Sequence, residues 1–210
     1  MLTVGNPSHS PAHSVYIEKK SEFIADACHI NSLDEAVSFV EKIRSQHPKA
    51  RHVCFAAVVG AEEAQFQERM SDDGEPSGTA GKPILQVLRQ SGTTNTVIAV
   101  TRYFGGILLG AGGLVRAYST AAADALKAAQ LREIVPAQYF SCTVDYAQYT
   151  TVQHVIAQSQ GKITSEEFTD KIALEFMVPV QWADTVEENI QQTFHASIQP
   201  VRTRVGSIIQ

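Results

Sequence analysis

Residues 94–130, TNTVIAVTRYFGGILLGAGGLVRAYSTAAADALKAAQ, constrain the fold of this chain more than any other stretch. An apolar, β-branched run leads into a loop with five glycines between positions 105 and 113, and a long alanine-rich helix pattern follows. Strand, glycine-rich turn and helix in that order set a helix N-terminus beside a strand end and let the two backbones pack closely. The same geometry lets backbone N–H groups converge on an anion. At least one sheet with a helix laid against it is therefore required.

A second unusual loop comes shortly before. SDDGEPSGTAGKP, 71–83, carries three carboxylates, three glycines, two prolines and a lysine. Gly81-Lys82 looks like the end of a phosphate-binding G-x-x-x-x-G-K-[ST] loop. Pro76 occupies the first glycine position, however, and Pro83 stands where a magnesium-binding hydroxyl belongs. Gly110 and Gly112 begin a dinucleotide fingerprint that Val115 ends. Neither motif survives, and no cofactor is expected.

What remains is a constellation. Lys82, Arg102 and Arg116 flank the glycines Gly105, Gly106, Gly110, Gly112 and Gly113, an arrangement suited to a nucleic acid or another partner. Tyr103 or Phe104 could stack on a base or a partner side chain, but only one of them, because neighbouring strand residues face opposite ways. Asp72, Asp73, Gly74 and Glu75 form a polar loop with the look of half a cation site, and no further ligand is visible. The structural alternative is that the arginines simply pair with these acids. His52 opens the preceding strand, within reach of the loop or as an edge histidine. No nucleophile or general base has a recognisable setting.

Bulk properties narrow the class. With 210 residues, 44% hydrophobic and 19% charged, the chain reads as one large domain or two small ones. It has no apolar run of the roughly 20 residues that a membrane span needs. The start, MLTVGNPSHSPAHSVY, shows no signal-peptide pattern, so a cytoplasmic protein with a flexible tail over 1–14 is expected. Cys28, Cys54 and Cys142 read as buried free thiols. The net charge of −5 is uneven, with about −4 of it after residue 136. Any polyanion site is thus expected as a local patch of the first part.

Read along the chain, residues 15–136 give β-β-α-β-β-α-β-α. One helix is capped at Asn31 or Ser32, a second by Ser77 or Thr79, and AQFQERM is a candidate partner strand. Pro136 marks a break. Residues 137–210 give β-α-β-β-α-β, the ferredoxin-like order. Arg202 and Arg204 fall on one face of its last strand by simple alternation.

SDDGEPSGTAGKPIL followed by VTRYFGGILLGAGGLVRAYS resembles the hallmark of the IMPACT family, in its bacterial YigZ-type branch. The match includes Asp72, Asp73, Gly74, Glu75, Pro76, Gly81, Lys82, Pro83, Arg102, Gly105, Gly106, Gly110 and Gly113. The resemblance implies an α+β, two-domain fold. The first domain would be like domain IV of elongation factor G, a ribosomal-protein-type fold with a left-handed βαβ crossover, and the second would be ferredoxin-like. It also implies a non-enzymatic, translation-associated regulator that binds RNA, the ribosome or a translation factor, since eukaryotic relatives regulate translation under starvation. Those relatives use an additional N-terminal interaction domain to compete for a kinase activator, and only the short tail precedes the shared domain here. That role is therefore not carried over. Two alternatives stay open. One is an enzyme acting on a phosphorylated metabolite or nucleotide with a metal held by Asp72, Asp73 and Glu75, so a small-molecule ligand is not excluded. The other is a protein–protein module using the acidic second domain.

Overall fold

The computed structural model describes residues 1–60 and 66–210. It divides into two compact units, Met1–Glu133 and Ile134–Gln210. Among the described residues no helix is long and apolar enough to cross a membrane.

The first unit is built on a five-stranded, wholly antiparallel sheet. Its strands are β2 (Ala12–Glu18), β3 (Ser21–His29), β4 (His52–Val59), β5 (Gln67–Ser71) and β6 (Thr96–Tyr103), in the order β2-β3-β6-β4-β5. Helix α1 (Leu33–Gln46) lies on one face, while α2 (Gly81–Ser91) and α3 (Gly110–Ala128) cover the other. Central strands covered on both faces explain the continuous apolar runs in the sequence. In β4, Val53, Phe55 and Ala57 enter the α1 core, whereas Cys54, Ala56 and Val58 enter the α2/α3 core. Ser32 caps α1, its hydroxyl accepting from the Glu35 N–H, and Ala36, Phe39, Val40 and Ile43 form the buried stripe. Ala64 and Gln65, from the expected AQFQERM strand, lie outside the described residues, and β5 begins at Gln67.

The first residues are not a tail. Leu2–Val4 form β1, which pairs antiparallel with the start of β7 (Leu131–Val144), and Ala12 already belongs to β2. Val4 is wholly buried in the α2/α3 core, and the Thr3 hydroxyl meets His29 Nδ1 and the Asn95 carbonyl. Burial of Val4, the Thr3 hydrogen bonds and the ladder to β7 together hold this three-residue strand in place.

In the second unit β7, α4 (Tyr146–Gln158), β8 (Lys162–Phe168), β9 (Ile172–Pro179), α5 (Ala183–Thr193) and β10 (Val201–Ile209) follow one another. The sheet runs β10-β7-β9-β8 with every pair antiparallel, the ferredoxin-like arrangement. The helices cover one face, over Phe140, Leu174 and Phe176. Pro136 does not break the chain but sits inside β7. There β9 has already ended, at Pro179 opposite Ala137, so only β10 flanks it and no second ladder needs its missing N–H. Arg202 and Arg204 do not share a face either. A bulge between Arg202 and Val205 turns them apart, Arg202 to Asp184 and Glu187 of α5, Arg204 onto the Tyr139 ring.

Candidate functional site

The acidic loop leads from β5 into α2, and each of its carboxylates is committed to a different partner. Asp72 accepts the N–H groups of Gly78, Ala80 and Gly81 at 2.7, 3.0 and 2.8 Å. It therefore occupies the N-terminus of α2 with an anion from the chain itself, and neither Ser77 nor Thr79 caps the helix. Asp73 takes a bidentate contact from Arg44 and the Val53 N–H at 2.6 Å, and its carbonyl lies 2.7 Å from His52 Nδ1. Gly74, with φ +83°, turns the chain against the His52 ring. Glu75 points inward. It receives Arg102 Nη1 at 2.6 Å and the Tyr118 hydroxyl at 2.8 Å, with all three side chains buried.

Three acids, each taken by its own set of donors, do not form the cation site that the enzyme reading needs. Among the described residues no group of three or more potential metal ligands is gathered anywhere. Cys54 lies beneath this network, 3.0 Å from the Asp72 carbonyl and 3.4 Å from the Tyr118 hydroxyl. Burial pushes its thiol up to about 12, so it is no nucleophile. Burial, together with Cys54 and Glu75, also raises Tyr118 and keeps the phenol a donor.

The capping carboxylate makes a pH prediction. Partial burial of Asp72 disfavours its charge, but the N–H donors of Gly78, Gly81 and Ala80 outweigh that and hold it below its ordinary value. A carboxyl depressed in the folded state contributes stability above its unfolded value of about 3.9 and loses it as pH falls through the lower folded value. Both Asp72 oxygens accept N–H groups, so Asp72→Asn turns an amide donor toward one of them. The substitution is expected to cost about 1 kcal/mol at pH 7 and to flatten the fall in urea midpoint below about pH 4. An acid limb as steep as that of the wild type would refute this account.

The cations separate into two groups. Arg102, expected as a docking residue, is instead a buried structural group, opposite Phe23 in the β3–β6 register and packed on the Phe23 and Phe104 rings. Lys82, in the first turn of α2, and Arg116, on the outer side of α3, are exposed and make no ion pair among the described residues. Tyr103 is also committed, its hydroxyl 3.0 Å from His47 Nδ1, and Phe104 is the aromatic left in solvent.

The glycine loop shapes an exposed apolar tip. Gly105 lies against the Lys20–Ser21 backbone and donates its N–H to Ser21 Oγ at 3.2 Å. Gly106 and Gly110 turn the chain at φ +83° and +70°, Gly113 is buried beside Leu109, and Gly112 is exposed near Arg116. The tip presents Phe104, Ile107 and Leu108, the last 82% exposed. Beside it the β2–β3 hairpin turns through Lys19 and Lys20, both exposed and at φ +45° and +66°. Such hairpins favour Asn-Gly, and lysine in this conformation costs about 1–2 kcal/mol per residue. Lys19, Lys20, Ile107 and Leu108 were absent from the sequence-based site. An isoleucine and two leucines between glycines, too few to enter a core, were the signal available for it.

These features define a class: a two-domain α+β protein whose first domain presents an apolar, cation-flanked glycine loop and whose second is a ferredoxin-like module. Residues 19–126 match the Impact N-terminal domain, and 142–197 match a Domain of unknown function (DUF1949). The chain belongs to the IMPACT family. IMPACT family member YigZ of Escherichia coli (strain K12) is 40% identical over 161 residues, 77% of this chain and 79% of that protein. An IMPACT family member of Haemophilus influenzae is 44% identical over 156 residues, 74% and 76% of the two chains. The crystal structure of a hypothetical protein superposes with a TM-score of 0.70 at 34% identity, covering 97% of each chain.

Proposed function

We propose that this chain is a non-enzymatic binding protein that docks on the translation machinery through the glycine-loop tip of its first domain. The observation that carries the reading is the exposure of Phe104, Ile107 and Leu108 on a loop held by Gly105 against the Lys19–Lys20 hairpin. Three neighbouring apolar side chains in water cost solubility unless something covers them. The lysines beside them, with Arg116 on the following helix, favour a partner carrying negative charge, as a ribosome does. The translation role implied by the family resemblance points the same way. The committed carboxylates give the enzyme reading no comparable support.

Co-sedimentation with purified ribosomes tests this at low and moderate salt. The wild type is expected to pellet, less so as salt rises. Leu108→Asp is expected to stay in the supernatant with an unchanged melting temperature, since fully exposed sites change stability by about 0.5 kcal/mol or less. Arg116→Glu is the matching charge variant, whereas Arg102 is unsuitable because it is buried in an ion pair with Glu75. A wild type that never pellets at low salt would sink the proposal.

A further inference from the structure

The second unit carries only four cations, Lys162, Lys171, Arg202 and Arg204, against eight acids. Lys171 pairs with Asp145, and Arg202 with Asp184 and Glu187. Lys162 and Arg204 make no ion pair among the described residues, and the sheet brings them into one row. Lys162 is the cross-strand partner of Met177, and Met177 that of Tyr139, so the three side chains share a face. Their neighbours Ile163, Phe176 and Phe140 point into the helix-covered core, which puts the row on the opposite face. The β10 bulge adds Arg204, whose guanidinium carbon lies 3.6 Å from the Tyr139 ring centroid. Gly206 makes the room, for a Cβ there would come within 2.8 Å of the Tyr139 ring.

We propose that this row, Lys162–Met177–Tyr139–Arg204, is a stacking site for single-stranded RNA, separate from the glycine-loop tip. Four strands at sheet spacing make it about 14 Å long, with an ammonium at one end, a guanidinium stacked on an aromatic ring at the other and a polarisable thioether between. The outer face of the stacked guanidinium and the thioether accept bases, and the two charges take phosphates. Ser141, two residues along β7 on the same face, offers a hydroxyl to a ribose 2′-OH. Glu175, beside it on β9, keeps the phosphates at the cationic row. The negative net charge of this half of the chain concealed the site, because net charge does not reveal which cations are already paired.

Fluorescence anisotropy of the full chain with labelled 12-mer oligo(U) and oligo(A) RNA tests the proposal. Both are expected to bind, with a log–log salt slope near about −1.4 for two phosphates on a single strand. Arg204→Glu, at an exposed position that leaves folding intact, is expected to weaken binding by roughly tenfold or more. Tyr139→Phe retains binding, Lys171→Ala leaves it unchanged, and so does Leu108→Asp, which separates this site from the first. No wild-type binding at low salt would overturn the proposal. So would binding that survives Arg204→Glu, binding lost in Leu108→Asp, or poly-glutamate competing as well as RNA, which would mark an acidic-peptide site.

Discussion

Arg102→Ala is expected to destabilise the first domain by about 3–5 kcal/mol, the largest loss from any change of charge in this chain. The arginine bonds Glu75 at 2.6 Å, and both side chains are more than nine-tenths buried. Without it the Glu75 carboxylate keeps the Tyr118 hydroxyl but loses the one cation paired with it among the described residues, in a setting of Phe23, Tyr118 and the α3 interior. An uncompensated buried charge is far more costly than the intact pair is favourable. Two comparisons separate this from loss of packing. Glu75→Gln should also destabilise strongly, because it strands the guanidinium, whereas Arg102→Met combined with Glu75→Leu should recover much of the loss. Urea unfolding followed by circular dichroism reads all three. A loss below about 1 kcal/mol for Arg102→Ala would mean that the pair behaves as a solvated surface contact, and the docking role of Arg102 would be open again.

The fate of Arg102 shows what sequence reasoning could and could not resolve. The apolar runs of β4 and β6, the Ser32 cap and the alanine-rich α3 were legible because each expresses a local rule. Propensity, capping and side-chain period are settled within a few residues. The element order of both domains followed from them. The misread features depend on partners distant in sequence. The α2 cap comes from Asp72, eight to nine residues upstream of the N–H groups of Ala80 and Gly81. The three residues of β1 have no period of their own and are held by β7, more than 120 residues away. One extra residue in β10 turned Arg204 to the other face, which alternation alone cannot foresee. At the site, composition located the glycine loop and its arginines but could not tell a buried arginine from an exposed one. Register does so, because Arg102 continues the inward series Ile98, Val100 while Tyr103 falls on the α1 side. The structural alternative, in which Arg102 and Arg116 pair with the three acids, holds only for Arg102–Glu75. Asp73 is taken by Arg44 of α1, a residue outside that expectation, Asp72 by backbone N–H groups, and Arg116 pairs with none of them.

Gly105→Ala should have the largest effect of any single-methyl change at the glycine-loop tip. A Cβ on Gly105 would overlap the backbone carbon and oxygen of Lys20 and the nitrogen of Ser21. Main-chain atoms in a sheet ladder cannot rotate aside as the end of a flexible side chain can, so the β2–β3 hairpin or the end of β6 must move. A cost on the order of 3 kcal/mol is expected, with loss of the Gly105 N–H bond to Ser21 Oγ. Gly106→Ala is the control. Its φ of +83° makes alanine strained, but nothing lies within 4 Å of the added methyl, so about 1 kcal/mol is expected. The two variants also separate shape from stability in docking. If the tip works as a rigid unit with the Lys19–Lys20 hairpin, Gly105→Ala should reduce ribosome pelleting well below that of Gly106→Ala even at temperatures where both are fully folded. Equal pelleting by the two folded variants would mean that the exposed Phe104, Ile107 and Leu108 bind without the hairpin beside them, and that the strain at Lys19 and Lys20 serves the turn alone.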